Sequence, residues 1–190
     1  MSGLYLLAII PPHDLSREIH EIRLHCSEKF GVLKALKPPV HISIYRPFRL
    51  DEDFEINFIR MIQYALAEQE SFVQDIKNYE AFDTHAIVLR ALLNPGILKL
   101  YNIISAIMIE KGIDKHPSDI FPFRPHLTIA YRDIKPEVFP MIWEEYKDKK
   151  FTASFKADHL SLLKHDGNQW LVIKNYPFRE TDSLSETGNI

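Results

Sequence analysis

Apolar and polar positions along the chain fall into two runs of the same order. Leu4 to Ile10 is a continuous apolar stretch of strand length, stopped by Pro11-Pro12. Asp14 stands where a helix cap belongs, and Leu15, Ile19, Ile22 and Cys26 then recur at helical spacing up to Gly31. A loop with Pro38-Pro39 leads into an apolar strand from His41 to Tyr45. The order starts again at Ala86. An apolar run of strand length is closed by Asn94-Pro95-Gly96, and Leu98, Tyr101, Ile104, Ile107 and Met108 follow at helical spacing before Gly112. A loop with Pro117, Pro122 and Pro125 leads into the strand His126 to Tyr131. Pro12 lies 29 residues before His41 and Pro95 lies 31 before His126.

Each run continues alike. Asp53 to Gln69 reads as a helix and residues 71–82 as a strand. Pro136 to Lys147 reads as a helix and residues 151–163 as one strand, with a last strand from Gln169 to Tyr176 after the turn His165-Asp166-Gly167-Asn168. The pattern predicts an α+β fold of two small, mostly antiparallel sheets, each with helices on its outer face, flanking a central cleft. One domain spans 1–180, built by internal duplication from halves at about 1–83 and 84–178. The polar end 181–190 reads as a flexible tail.

Composition narrows the function. The 190 residues fit one domain, and 46% hydrophobic residues suffice for an ordinary core. A net charge of −3 argues against a protein that coats DNA, although a phosphate pocket needs only a few local cations. The lone Cys26 excludes an internal disulfide and any Cys-based zinc site, which suits a reducing, cytoplasmic setting. The apolar run at Leu4 is too short to span a membrane and lacks the flanks of a signal peptide, so we expect no membrane partner and a monomer.

The candidate chemistry lies in a short pattern, His-x-Ser/Thr. It occurs at His25-Ser27, His41-Ser43, His116-Ser118, His126-Thr128 and His159-Ser161. Roughly one match is expected by chance, so context decides. Within a helix, positions i and i+2 point apart, which sets His25 aside. His116 precedes a proline in a loop. His159 also lies in a strand, but it lacks the preceding proline and has no counterpart under the repeat. The pairs at 41 and 126 open equivalent strands, where alternate residues share a face. His41, Ser43, His126 and Thr128 should therefore meet across one cleft, with His159 elsewhere.

The segments 41–44 (His-Ile-Ser-Ile) and 123–132 (Phe-Arg-Pro-His-Leu-Thr-Ile-Ala-Tyr-Arg), the opening strand with its Pro-Pro stop, and the closing hairpin together resemble the two-histidine (2H) phosphoesterases. That superfamily includes 2'-5' RNA ligases and cyclic phosphodiesterases, and the likeness covers nearly the whole chain except the tail. It implies a metal-independent phosphoesterase acting on 2',3'-cyclic phosphate or 2'-5' linkages in RNA or small nucleotides, with reversible ligation by the same histidines. Two departures fall where the nucleoside would lie. The first strand exits through Tyr45-Arg46-Pro47, and the place usually held by an arginine is Tyr131, with Arg132 next.

The chemistry also stands without the family. A phosphodiester needs its nucleophile deprotonated and its leaving oxygen protonated, and two imidazoles can do both near neutrality. Ser43 and Thr128 can donate to the non-bridging oxygens. Arg46 and Arg132 are the candidates to neutralise phosphate, and strict alternation favours Arg132. Tyr45 shares the alternation of His41 and Ser43 and could stack on a base, whereas a structural role is the plainer reading of Tyr131. His-x-Ser/Thr is not a zinc spacing, so neither a metal nor another cofactor is expected. The competing class is a non-catalytic RNA- or nucleotide-binding module with the same cleft, and a non-nucleotide cyclic phosphate is a third possibility.

Overall fold

The computed structural model describes residues 1–113 and 122–180. The His116-Ser118 pattern, Pro117 and the tail 181–190 lie outside the described residues. In chain order the elements are β1 (Ser2–Ile9), α1 (His13–Phe30), β2 (Ile42–Asp51), α2 (Glu55–Ala65), β3 (Phe72–Phe82), β4 (Ala86–Ala91), α3 (Pro95–Glu110), β5 (His126–Tyr131), α4 (Phe139–Tyr146), β6 (Thr152–Ala157), β7 (His159–His165) and β8 (Trp170–Pro177).

The fold is α+β, and the two expected sheets are halves of one curled antiparallel sheet in the order β6-β3-β4-β5-β2-β1-β7-β8. Four strands lie on each side of a seam between β5 and β2, and a single residue pair, Ile42 with Leu127, closes that seam. The stretch 151–163 is two strands, not one. β6 pairs with β3, β7 pairs with β1, and the chain crosses between the half-sheets at Asp158. The apolar positions change phase here, from Phe155 and Ala157 to Leu160 and Leu162, so the residue types do mark the break between the two strands.

The helices bury their apolar stripes on one face of the sheet. Ile19 and Cys26 of α1, Phe58 and Ile62 of α2, Ile104 and Met108 of α3 and Ile142 of α4 join Leu7, Ile42, Leu89 and Leu127 in one core. The opposite face carries a small cluster of Leu6, Ala8 and Leu163. Helix α1 packs against β5 and α3 against β2, so each helix supports the strand of the other half.

Local chemistry sets the helix ends. At α1 the cap position is Pro12, without a side-chain bond, and Asp14 lies inside the first turn, where a carboxylate suits the positive helix end. Asp14 is therefore not the cap, because the helix starts two residues earlier than its side chain suggests. Gly31 closes the helix at φ 73, and its N–H donates to the Ser27 carbonyl at 2.8 Å. For α3, Asn94 is a true cap, accepting from the Ile97 N–H at 3.0 Å. No described helix is long and apolar enough to cross a membrane.

Candidate active site

The seam between the half-sheets is where two of the sequence patterns meet. Ile42 and Leu127 pair antiparallel, and both are fully buried toward the helices. Continuing that register sets His41 opposite Thr128 and Ser43 opposite His126. Alternation turns these four residues to the other face, the open one. Each is partly exposed there, as their flanking residues Ile44 and Ile129 are not.

The two histidines are held in the same way. The His41 Nδ1–H donates to the Pro39 carbonyl at 2.8 Å, and the His126 Nδ1–H donates to the Arg124 carbonyl at 2.7 Å. Each ring thus reaches back two residues to its own backbone. That bond fixes the tautomer of the neutral imidazole and leaves Nε2 as the nitrogen that can exchange a proton.

Both strands carry a β-bulge directly after the hydroxyl residue. Ala8 pairs with Ser43 and Leu7 with Tyr45, which leaves Ile44 over. Val88 pairs with Thr128 and Ile87 with Ala130, which leaves Ile129 over. A bulge shifts alternation by one residue. Tyr45 is therefore turned into the core, 8% exposed, with its ring edge-on to Phe48 at 6.2 Å. Ala130 is buried likewise. The next residues, Arg46 and Tyr131, come out exposed on the side of the catalytic candidates. Arg132 lies beyond the end of β5 at φ 74, with its guanidinium 5.2 Å from the Tyr131 ring. Strict alternation, which favours Tyr45 and Arg132, fails at the two bulges.

Electrostatics separates the two imidazoles. Burial depresses His41 to about 4, and the positive charges of Arg23 and His126 add to the effect, against the Pro39 hydrogen bond. Burial also lowers His126. There the carbonyl bond opposes the shift, Arg124 adds to it, and Glu80 opposes it. The Phe82 ring meets His126 edge-on at 4.8 Å, and the Arg124 guanidinium lies 4.1 Å from the same Phe82 ring. Arg124 also donates to Glu80 at 2.6 Å. Sequence reasoning does not single out Glu80, Phe82 or Arg124. Arg124 has a visible signal, lying two residues before His126, whereas Glu80 and Phe82 arrive through the curl of the long strand β3.

Arg23 escapes the sequence reading too. It is 1% exposed on the inner face of α1, and its Nε–H donates to the Thr128 carbonyl at 2.7 Å. A charge in place of an apolar residue on that stripe is the available signal.

The remaining patterns stay apart from the seam. His25 lies on α1, 4.0 Å from Glu145. His159 and Ser161 share the open face, since Ala8 pairs with both Ser43 and Ser161, but they stand two strands from Ser43. His159 Nδ1 is engaged by Asp158 at 2.5 Å. Ser161 donates to Asn175 at 2.8 Å. A cavity of about 390 Å³ opens here between Ile10, Pro11, Pro12, His159, Ser161 and Asn175. No group of three or more His, Cys, Asp or Glu residues is arranged to hold a metal among the described residues.

Comparison with known proteins places this geometry in context. The profile of the 2'-5' RNA ligase superfamily matches residues 11–169. The fold is similar to that of TT0787 of Thermus thermophilus, with a TM-score of 0.67 at 16% identity, covering 93% of this chain and 98% of that one. It is also similar to E. coli LigT in complex with 3'-AMP, with a TM-score of 0.64 at 15% identity, covering 94% and 99% of the two chains. LigT has also been crystallised with ATP, with a TM-score of 0.62 at 16% identity and coverage of 94% and 99%. No curated protein sequence matches.

Proposed function

The chain belongs to the 2'-5' RNA ligase superfamily of two-histidine phosphoesterases, and we propose that it is a metal-independent phosphoesterase opening 2',3'-cyclic phosphates or 2'-5' linkages in RNA or small nucleotides. The observation that carries this reading is the pair of imidazoles held alike by Nδ1 bonds to their own backbone, with a hydroxyl opposite each. Two such groups supply a base and an acid without a metal.

In this reading His41 is the base, because burial keeps it neutral at working pH. Its Nε2 takes the proton of a water, whose oxygen attacks phosphorus. His126, in its charged form, gives the Nε2 proton to the departing ribose oxygen. An anionic phosphodiester between the rings favours that imidazolium. Ser43 and Thr128 donate to the non-bridging oxygens as charge grows there. Arg46 meets the phosphate from the rim, and Tyr131 offers a ring to a base. With a ribose 5'-hydroxyl in place of water as the nucleophile, the same two groups open the cyclic phosphate to a 2'-5' linkage, His41 taking the hydroxyl proton and the departing 3'-oxygen receiving the proton of His126.

The neighbouring cavity has room for a nucleoside. LigT is crystallised with 3'-AMP, ATP and NADP+, which favours a nucleotide over a non-nucleotide cyclic phosphate. The like bulges and like histidine bonds also support reading the halves at about 1–83 and 84–178 as a duplicated unit. A cytoplasmic monomer completes the proposal.

The test is a hydrolysis screen with chelator present over RNAs ending in 2',3'-cyclic phosphate, 2'-5' dinucleotides and small non-nucleotide cyclic phosphates. Turnover of one of the first two, lost in His126→Ala, supports the proposal. Binding of these ligands without turnover would instead establish the non-catalytic binding module.

A further inference from the structure

Arg23 is the largest fully buried side chain among the described residues, and it carries a charge. Among the described residues its hydrogen bonds run to carbonyls only. Nε–H donates to Thr128 at 2.7 Å and Nη1–H to Pro38 at 3.2 Å, while Nη2 is buried without a hydrogen-bond partner. No carboxylate forms an ion pair with it among the described residues. Burying an ionised group without a counter-charge is costly, and proteins usually pair it. The charged groups around it are few. His41 feels its charge, and His126 feels that of Arg124 and Glu80. Asp133, Glu145 and Lys149 act on Cys26, three residues farther along α1.

The two carbonyls that Arg23 binds belong to the two halves of the site. Thr128 is the hydroxyl residue of one pattern. Pro38 begins the turn whose next carbonyl, from Pro39, orients His41 of the other. The guanidinium therefore spans the seam from behind the sheet, where only the pair Ile42 and Leu127 joins the strands. We propose that Arg23 is the positioning residue that locks the two patterns in register, and the buried counter-charge that a bound phosphate completes. This rests on the phosphoesterase reading for its ligand. The rigid fork of an arginine can hold two carbonyls at once, whereas a lysine supplies the same charge at one point. Across the sheet, the charge of Arg23 reaches an anion lying between the histidines through protein rather than through water, so it is poorly screened.

The experiment uses the full chain with Arg23→Met and Arg23→Lys. Readouts are the imidazole titrations by NMR, the affinity for inorganic phosphate from the same spectra, and turnover. In Arg23→Met the His41 titration should move up toward the ordinary imidazole range, and phosphate should bind about 10-fold more weakly. In Arg23→Lys both should stay close to wild type, while kcat falls about 10-fold because the fork no longer fixes Thr128. An unchanged His41 titration and phosphate affinity in folded Arg23→Met would overturn the counter-charge. An unchanged kcat in Arg23→Lys would overturn the positioning role. Should Arg23→Met not fold, Arg23→Lys decides both, because phosphate binding weakened as much as 10-fold with the charge retained would contradict a charge effect. Should wild type turn over no substrate in the screen, the phosphoesterase reading fails by itself. The titration and phosphate arms then still decide the charge, and the His41 and Thr128 resonances in Arg23→Lys decide the register.

Discussion

Replacing His41 with asparagine should remove a specific part of the acid sensitivity of this protein. The asparagine amide nitrogen can take the place of Nδ1 and keep the bond to the Pro39 carbonyl, so the change deletes a titrating group with little change in local bonding. In the folded protein His41 is depressed to about 4, from an ordinary 6.5. The sign follows from linkage. Above pH 6.5 His41 is neutral in both folded and unfolded chains and does not affect the balance. As pH falls from 6.5 toward 4, the unfolded chain binds a proton that the folded chain refuses, so stability drops. The gap of about 2.5 pH units, at about 1.4 kcal/mol each, amounts to about 3 kcal/mol by pH 4. For a chain of this size that is roughly 6–12 °C in melting temperature. Carboxylates titrate in both proteins, so the quantity to measure is the difference between wild type and His41→Asn from pH 7.5 to 4 in phosphate-free buffer. Wild type should lose about 3 kcal/mol more than the variant, and added phosphate should shrink that excess by raising the His41 proton affinity. Parallel stability curves for the two proteins would refute the burial of a neutral His41.

Three further outcomes test the site. His41→Ala and His126→Ala should each lower turnover by about 10²-fold or more, Ser43→Ala and Thr128→Ala by about 10- to 1000-fold, and the double histidine variant should be little worse than either single one in steady-state assays. His159→Ala should leave turnover within a few-fold, since its ring is engaged by Asp158 two strands from Ser43. Arg46→Ala should raise KM for a cyclic phosphate about 10-fold while Arg132→Ala changes it little, because the bulge at Ile44 brings Arg46 to the open face. The opposite order in a kinetic comparison would mean that the bulge does not govern phosphate contact.

Much of this architecture is legible in the order of residue types. β5 falls at His126–Tyr131 as the apolar run and its preceding proline indicate, and α1 buries Ile19 and Cys26 of its expected stripe, whereas α3 turns Ile97 and Leu100 inward with Ile104 and Met108 and leaves Leu98 exposed. What alternation cannot carry is any change of phase. A bulge inserts one residue without altering composition, so Ile44 and Ile129 look like ordinary strand residues, and alternation puts Tyr45 on the wrong face. The crossover at Asp158, by contrast, leaves a trace, since the apolar positions shift from Phe155 and Ala157 to Leu160 and Leu162 where β6 gives way to β7 and the chain changes halves of the sheet. Long-range neighbours leave no local trace. Glu80 and Phe82 reach His126 through the curl of β3, and Arg23 reaches Thr128 through a helix more than 100 residues earlier in the chain.

A chain that presents the same histidine pattern twice faces a chemical difficulty, because proton transfer in one direction needs two unequal imidazoles. The repeated features here are those that make them alike, namely the strand, the bond from Nδ1 to the carbonyl two residues back, and the bulge after the hydroxyl. The features that make them unequal occur once. Behind His41 stands Arg23, and α3 carries no arginine to match it. Beside His126 stand Phe82, Arg124 and Glu80, and the residue corresponding to Arg124 in the first pattern is Pro39. Burial holds His41 neutral and the fixed positive charge of Arg23 adds to that depression, whereas Glu80 works against the depression that burial imposes on His126. The inequality that a base and an acid require thus comes from residues outside the repeated pattern. Exchanging those neighbours, rather than the histidines, is the change that would move the two proton affinities toward one another.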